Sequence, residues 1–374
     1  MKHIYRKLFV GLLLITSATE ISAQKIVIGN YTFKDKAAYY GELEGGKPNG
    51  KGKTKFANGD QYEGEYVKGK RQGFGTYTFT DGEKYEGQWF QDHQHGRGIY
   101  YFANNNKYDG LWYCDYQEGE GVMEYYNGDR YIGNWSQDKR NGKGKYIWAN
   151  GVMYDGEWKD DKKSGKGFFD WKDGSSYNGE MDNDMRNGFG TYIYANGDKY
   201  VGNWKDNLMD GKGIYYFKNG DKYEGDYESG ERTGQGIFTY ADGRKYVGFF
   251  KNGLMDGFGT YNWLDGSKYE GYWKENKQNG RGKYVSESGD VYDGEWAEGE
   301  MNGEGVLRMS DGTKFKGTFK NGMRNGKGIE EKDGVRFEGS YVNDIKDGPF
   351  VEKDSNGSII RKGYYKHGIV EVAH

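Results

Sequence analysis

Several things are scarce in this sequence, and each scarcity excludes something. Its 374 residues include two prolines and one cysteine, Cys114. A single cysteine cannot form an internal disulfide, so cross-links do not hold the fold together. Aromatic residues make up half of a modest hydrophobic fraction, 17% of 34%. With aliphatic side chains so few beside 65 Gly and 36 Tyr, a compact three-dimensional core is excluded. The charge is close to balanced, 54 basic against 57 acidic residues for a net charge of −3. A nucleic-acid partner would call for a strong basic excess, so none is expected. No apolar run is long enough to cross a membrane as a helix, which takes about 20 residues.

What the sequence has in abundance is repetition. An aromatic residue recurs every 23 positions, twelve steps running, from Tyr39 through Tyr200 to Phe315. Counting that residue as position 1, positions 3, 12 and 14 are Gly in all thirteen copies. A fixed period of this kind marks a stacked-repeat protein. Within a copy, Tyr200, Gly202 and Trp204 alternate with polar residues, and Tyr215 and Phe217 do so after a polar gap. Period-2 alternation on both sides of a gap predicts two short strands. Ten of the twelve pairs at positions 20 and 21 between regular copies are Asn-Gly or Asp-Gly. That predicts a tight hairpin turn with positive backbone dihedrals across the pair. About 28 strands at about 4.8 Å each would stack to the order of 130 Å.

Positions 1, 3 and 5 share one strand face. It carries Tyr, then Gly, then mostly Trp or Tyr, with the glycine leaving room for rings to lie over the backbone. Positions 12 and 14 are expected to continue this face without side chains, and positions 16 and 18 add further rings. The other face carries acids at positions 2 and 4 (Glu63, Glu65, Asp155, Glu157) and bases at position 13 (Lys51, Arg97, Lys143, Lys212). It reads as a solvated face with cross-strand ion pairs. On the ring face Trp89, Trp112, Trp135, Trp158, Trp204, Trp273 and Trp296 are the candidate binding residues, because a sheet one layer thick leaves rings without cover.

The ends depart from the pattern. Lys2, Arg6 and Lys7 precede the apolar run Leu8 to Ile15 and the small residues Ser22-Ala23. That reads as a signal peptide over residues 1–23, hence export to the periplasm, the outer surface or the medium. Residues 24–38 form a half-repeat cap, 39–336 the thirteen regular repeats, and 337–374 degenerate repeats and a cap. Pro349 suits an edge strand.

Other motifs carry no chemistry. Gly45 to Lys51 mimics a phosphate loop but lacks the following Ser or Thr. Ser136 to Lys139 matches a Ser-x-x-Lys pattern in a loop rather than on a helix. His93 and His95 have no nearby Cys or third His to complete a metal site, and Asp182 to Asp184 lacks the Gly and Glu of a calcium loop.

The pattern Tyr-x-Gly-x-Trp, Gly-x-Gly, Asn/Asp-Gly at period 23 resembles the MORN repeat, as in Tyr85-Gly87-Trp89 with Gly96 and Gly98. The resemblance covers residues 39 to about 345. It implies an all-β, elongated, single-layer antiparallel β-hairpin repeat array of about 14 repeats, twisted into a groove-like rod. It further implies a scaffold or oligomerisation role, with no attached catalytic domain. The expected function is therefore an exported, non-enzymatic interaction protein without cofactor or metal, binding a protein partner or itself. Phospholipid head groups and glycans are the alternative ligands.

Overall fold

The computed structural model describes residues 25–373, so the expected signal peptide at 1–23 lies outside the described residues. The described chain is all-β, with 32 strands and no helix among the described residues. It divides into two units, Met1–Tyr126 and Asn127–His374. In each unit strands adjacent in sequence pair antiparallel, for example Gly202↔Gly213 and then Gly213↔Gly225, except that Val335–Val342 pairs with both Ile345–Lys346 and Gly348–Lys353. The aligned glycines at positions 3 and 14 keep one register through the hairpins.

The turns correct the expectation. The strand Lys199–Lys205 joins Leu208–Tyr216 through Asp206-Asn207, whose φ angles are 48° and 70°. Two positive φ values across a two-residue loop make a type I′ hairpin. The tight turn thus sits in the polar gap inside the repeat. The Asn219-Gly220 pair between repeats behaves differently. Gly220 alone has positive φ, its N–H donates to the Phe217 carbonyl at 3.0 Å, and the Phe217 N–H donates to Asp221 at 2.9 Å. That is a three-residue loop ending in a left-handed glycine. Asn219 serves through its side chain, accepting from the Asp221 N–H at 3.0 Å.

Position 12 is also corrected. The ladder shifts register between Gly202 and Trp204, and Gly211 opposite has φ +94°. This is a β-bulge, which needs glycine because the backbone is left-handed there. A Cβ at Gly211 would meet Asn203, a position-4 residue, rather than the rings.

The ring face holds the apolar packing. The position-1 residues, from Tyr39 to Phe315, are at most 2% exposed. Each lies over two glycines, as Tyr200 lies over Gly202 and Gly213. The Trp204 ring meets Tyr200 edge to face at 5.1 Å and Tyr177 at 5.7 Å. A second file of half-buried rings runs through Tyr194, Tyr215, Phe217 and Phe238 at centroid distances of 4.5–5.8 Å. Burying each large ring stabilises by about 1.5–3 kcal/mol, and an edge-to-face pair adds about 0.5–1.5 kcal/mol.

Candidate functional site

The seven tryptophans singled out from the sequence all lie on the ring face, and none offers an open ring. Trp89, Trp112, Trp135, Trp158, Trp204, Trp273 and Trp296 are 4–9% exposed. The Trp158 indole N–H donates to the Gly144 carbonyl at 2.9 Å, and Trp89, Trp112, Trp204, Trp273 and Trp296 make the same bond 14 residues back. The expectation of accessible rings is therefore corrected: neighbouring rings cover them, and over Trp89, Trp158 and Trp204 a cation adds to the cover. Arg71, Arg140 and Arg186 place their guanidinium carbons 4.2–4.3 Å from the ring centres of Trp89, Trp158 and Trp204. Cation–π attraction and the flat guanidinium both suit that position. These position-10 arginines escaped the sequence reading because Met209, Met255 and Met301 occupy the same place in other repeats.

A second missed feature is the acid at position 22. The Asp198 carboxylate accepts from the Lys218 N–H at 2.8 Å and from the Tyr215 hydroxyl at 2.9 Å. Asp129 does the same with Ala149 and Tyr146. Each such acid ties one inter-repeat turn to the next. The Lys218 backbone bond leads in holding the Asp198 carboxyl below its ordinary range, with burial opposing it. Burial pushes the phenols the other way: Tyr39 and Tyr177 rise to about 12, and Tyr200 rises as well. None of these groups is poised to exchange protons near neutral pH.

The opposite face is where the second unit is unusual. Across its strands runs a file of cross-strand neighbours, Val201, Ile214, Glu224, Ile237 and Val247. Beside it stand Phe189, Phe249 and Phe258, 55%, 41% and 46% exposed. They line a groove of about 780 Å³ whose floor is the bare backbone of the paired glycines, among them Gly213 and Gly236. Tyr272 extends the patch, meeting Phe258 edge to face at 5.5 Å. Two charges line the groove and both are paired: Lys212 with Asp226 at 2.6 Å, and Glu224 with Lys222 at 2.8 Å. The corresponding groove of the first unit, about 520 Å³, is smaller and carries more charge, with Glu42, Lys51, Lys53, Glu63 and Glu65 standing beside the exposed Ile28, Tyr40 and Phe74. There the solvated, ion-paired reading holds, as in Lys53–Glu63 at 2.9 Å. Along the groove of the second unit ion pairs persist, but apolar side chains take most of the lining. The signal was present in the sequence: Phe189 and Phe258 stand at the basic position 13, and Val201, Val247 and Phe249 at the acidic positions 2 and 4.

His93 and His95 are held by their neighbours within the array. His93 Nδ1 lies 2.6 Å from Asp115, and His95 is wedged between Phe90 and Tyr113 at 5.5 and 5.3 Å. Among the described residues no group of three or more His, Cys, Asp or Glu is placed to hold a metal ion.

Fold and faces together define a hairpin-repeat array that packs rings on one side and presents a partly apolar groove on the other. The family model of the MORN repeat matches thirteen consecutive stretches, residues 39–61 through 315–334. The chain belongs to the MORN repeat family, which carries a scaffold or interaction role. No curated protein matches it. Among solved structures, the TCP domain of SAS-4 (dCPAP) of Drosophila melanogaster, in complex with a proline rich motif of Ana2 (dSTIL), is 18% identical. That match covers 48% of this chain and 85% of the other at a TM-score of 0.23. The TCP10 domain of Danio rerio CPAP is 14% identical, with 69% and 94% covered at a TM-score of 0.14. A streptogramin B lyase is 13% identical, with 70% and 88% covered at a TM-score of 0.13.

Proposed function

We propose that this protein is an exported, non-enzymatic scaffold that holds an extended apolar segment of a protein partner in the groove of its second unit. One observation carries the reading: three phenylalanines, Phe189, Phe249 and Phe258, stand exposed around one glycine floor, at positions where most other repeats carry charged or polar residues. Aromatic side chains exposed without a structural role are costly in water, and such patches mark binding surfaces. The flat glycine backbone lets a peptide approach closely, and the flanking phenylalanines provide pockets for its side chains. An anionic head group or nucleic acid would need free bases here, and Lys212 is engaged by Asp226. The tryptophans offer a sugar ring no stacking platform, because they are covered. Export rests on the basic, apolar and small-residue segments at 1–23.

The test is affinity purification from the source cell. The double variant Phe189→Glu, Phe258→Glu should keep the thermal midpoint and lose the co-purifying protein. Retention of the same partner at wild-type yield would overturn the groove reading. Protease treatment of intact cells tests export, and full protection in the cytosolic fraction would refute it.

A further inference from the structure

The first strand, Val27–Thr32, has a neighbour on one side only among the described residues. It pairs with Ala38–Glu44 from Val27↔Leu43 to Thr32↔Ala38, with Gly29 opposite Gly41. Its other edge presents backbone groups without ladder partners, and Val27 and Ile28 are 48% and 70% exposed. Proteins usually guard such an edge with proline, charge or a bulge. The segment VIGNYT has no proline and no charge, and its register has no shift. The last hairpin is guarded by comparison: its register shifts between Tyr364 and Tyr365, and it carries Lys362, Lys366 and Glu371.

The open edge also has a specific shape. Gly29 occupies repeat position 14. In the complete repeats that glycine is covered by the position-1 ring of the strand before it. An added Cβ would stand 2.2 Å from the Tyr39 ring at Gly52, 2.3 Å from the Tyr200 hydroxyl at Gly213, and 2.3 Å from the Phe315 ring at Gly328. At Gly29 it would meet only Leu43 Cδ1, at 3.0 Å. The edge therefore combines a free hydrogen-bonding ladder with an uncovered glycine seat. The same molecule shows what fits that seat: a strand of the form aromatic-x-Gly, its glycine opposite the seat and its ring lying over both glycines. A tyrosine gains further, because its hydroxyl donates to the carbonyl three residues on, as Tyr62 does to Glu65 at 3.1 Å.

We propose that the edge of Val27–Thr32 accepts a β-strand from a partner polypeptide carrying Tyr-x-Gly or Phe-x-Gly. The strand adds antiparallel, with its glycine opposite Gly29 and its ring over it. Main-chain bonds supply affinity and the glycine seat supplies specificity. A second copy joined end to end does not offer this chemistry, because its last strand, Ile369–Ala373, has neither an aromatic residue nor glycine. The site is a different surface from the groove of the second unit and stands independently of it.

The probe is a synthetic peptide, KYVGNWK, the sequence of this chain's own strand Lys199–Lys205. Added to the full chain, it should slow hydrogen exchange of the amides of residues 27–32 by about tenfold or more and leave the other strands unchanged. Gly29→Val should abolish that protection at an unchanged thermal midpoint. Should that variant unfold, the peptide KYVVNWK replaces it and should give no protection. Absence of protection at about millimolar peptide, equal protection of Gly29→Val, or equal binding of KYVVNWK would overturn the proposal. Two further results would also overturn it by naming another occupant. One is a dimer by ultracentrifugation with residues 27–32 protected in the absence of peptide. The other is protection without peptide that Phe9→Asp removes, which would assign the seat to Phe9-x-Gly11 of the chain itself.

Discussion

The hydroxyl of Tyr200 passes over Gly202 and donates to the carbonyl of Asn203 at 2.9 Å, placing the ring where a side chain on Gly213 would be. A Cβ on Gly213 would stand 2.3 Å from that hydroxyl. Gly213→Val must therefore displace a fully buried ring, at a cost of about 3 kcal/mol or more. Its neighbour Lys212 points to the other face and forms an exposed ion pair with Asp226. Lys212→Ala should cost about 0.2–1 kcal/mol. Urea midpoints of the two variants check this, and equal shifts would show the face assignment to be wrong.

The arginine caps should not be equivalent. Arg140 donates to the Asp161 carboxylate at 3.0 Å and to its carbonyl at 2.9 Å while lying over Trp158. Arg140→Lys keeps the charge and loses the planar fork, at about 1–2 kcal/mol. Arg186 donates to the Asn207 carbonyl at 2.9 Å, and among the described residues no carboxylate lies in ion-pair range of it. Methionine is the native residue at this repeat position in Met209, Met255 and Met301. Arg186→Met should therefore cost less than about 1 kcal/mol. Thermal denaturation of the two variants side by side decides it, and a larger loss for Arg186→Met would refute the account.

The turn assignment predicts an asymmetry within one Asn-Gly pair. Gly220 has φ +96°, and an added Cβ would meet the Ala241 Cβ at 3.0 Å. Gly220→Ala should cost about 1–2 kcal/mol. Asn219 has ordinary backbone geometry and contributes two exposed side-chain bonds, to the Asp221 N–H and to its carboxylate at 3.0 Å each, so Asn219→Ala should cost about 0.5–1 kcal/mol. A two-residue I′ turn would make both positions costly. Denaturant titration of the pair distinguishes the two geometries.

The turn-linking acids predict a pH dependence. The Lys218 backbone bond leads in holding the Asp198 carboxyl below its ordinary 3.8. A depressed folded pKa means the stabilisation is present above the unfolded value and is lost as the pH falls through the folded one. Asp198→Asn should be less stable than wild type near neutral pH, and the gap should close as the pH is lowered below about 4. Thermal midpoints from pH 7 to pH 2 test the sign, and a gap that widens in acid would contradict it.

The sequence by itself determined the repeat, its period of 23, the two strands per copy and the glycine seats at positions 3 and 14. These follow from local constraints repeated thirteen times: alternation sets the face, and a ring over a backbone admits only glycine. The three-dimensional structure decided the rest. Asp206-Asn207 and Asn219-Gly220 are both acceptable turn sequences, and the ladder register with its bulge at Gly211 makes the first the I′ turn. Periodicity placed the tryptophans on one face but could not say what covers them. Their cover comes from Arg186 and from rings of neighbouring repeats, such as Tyr177 on Trp204. The groove depends in the same way on residues brought side by side across strands. Ile214 and Ile237 flank Glu224, and Phe258 faces Tyr272, so an apolar surface forms from residues that in sequence look like scattered exceptions to a charged pattern.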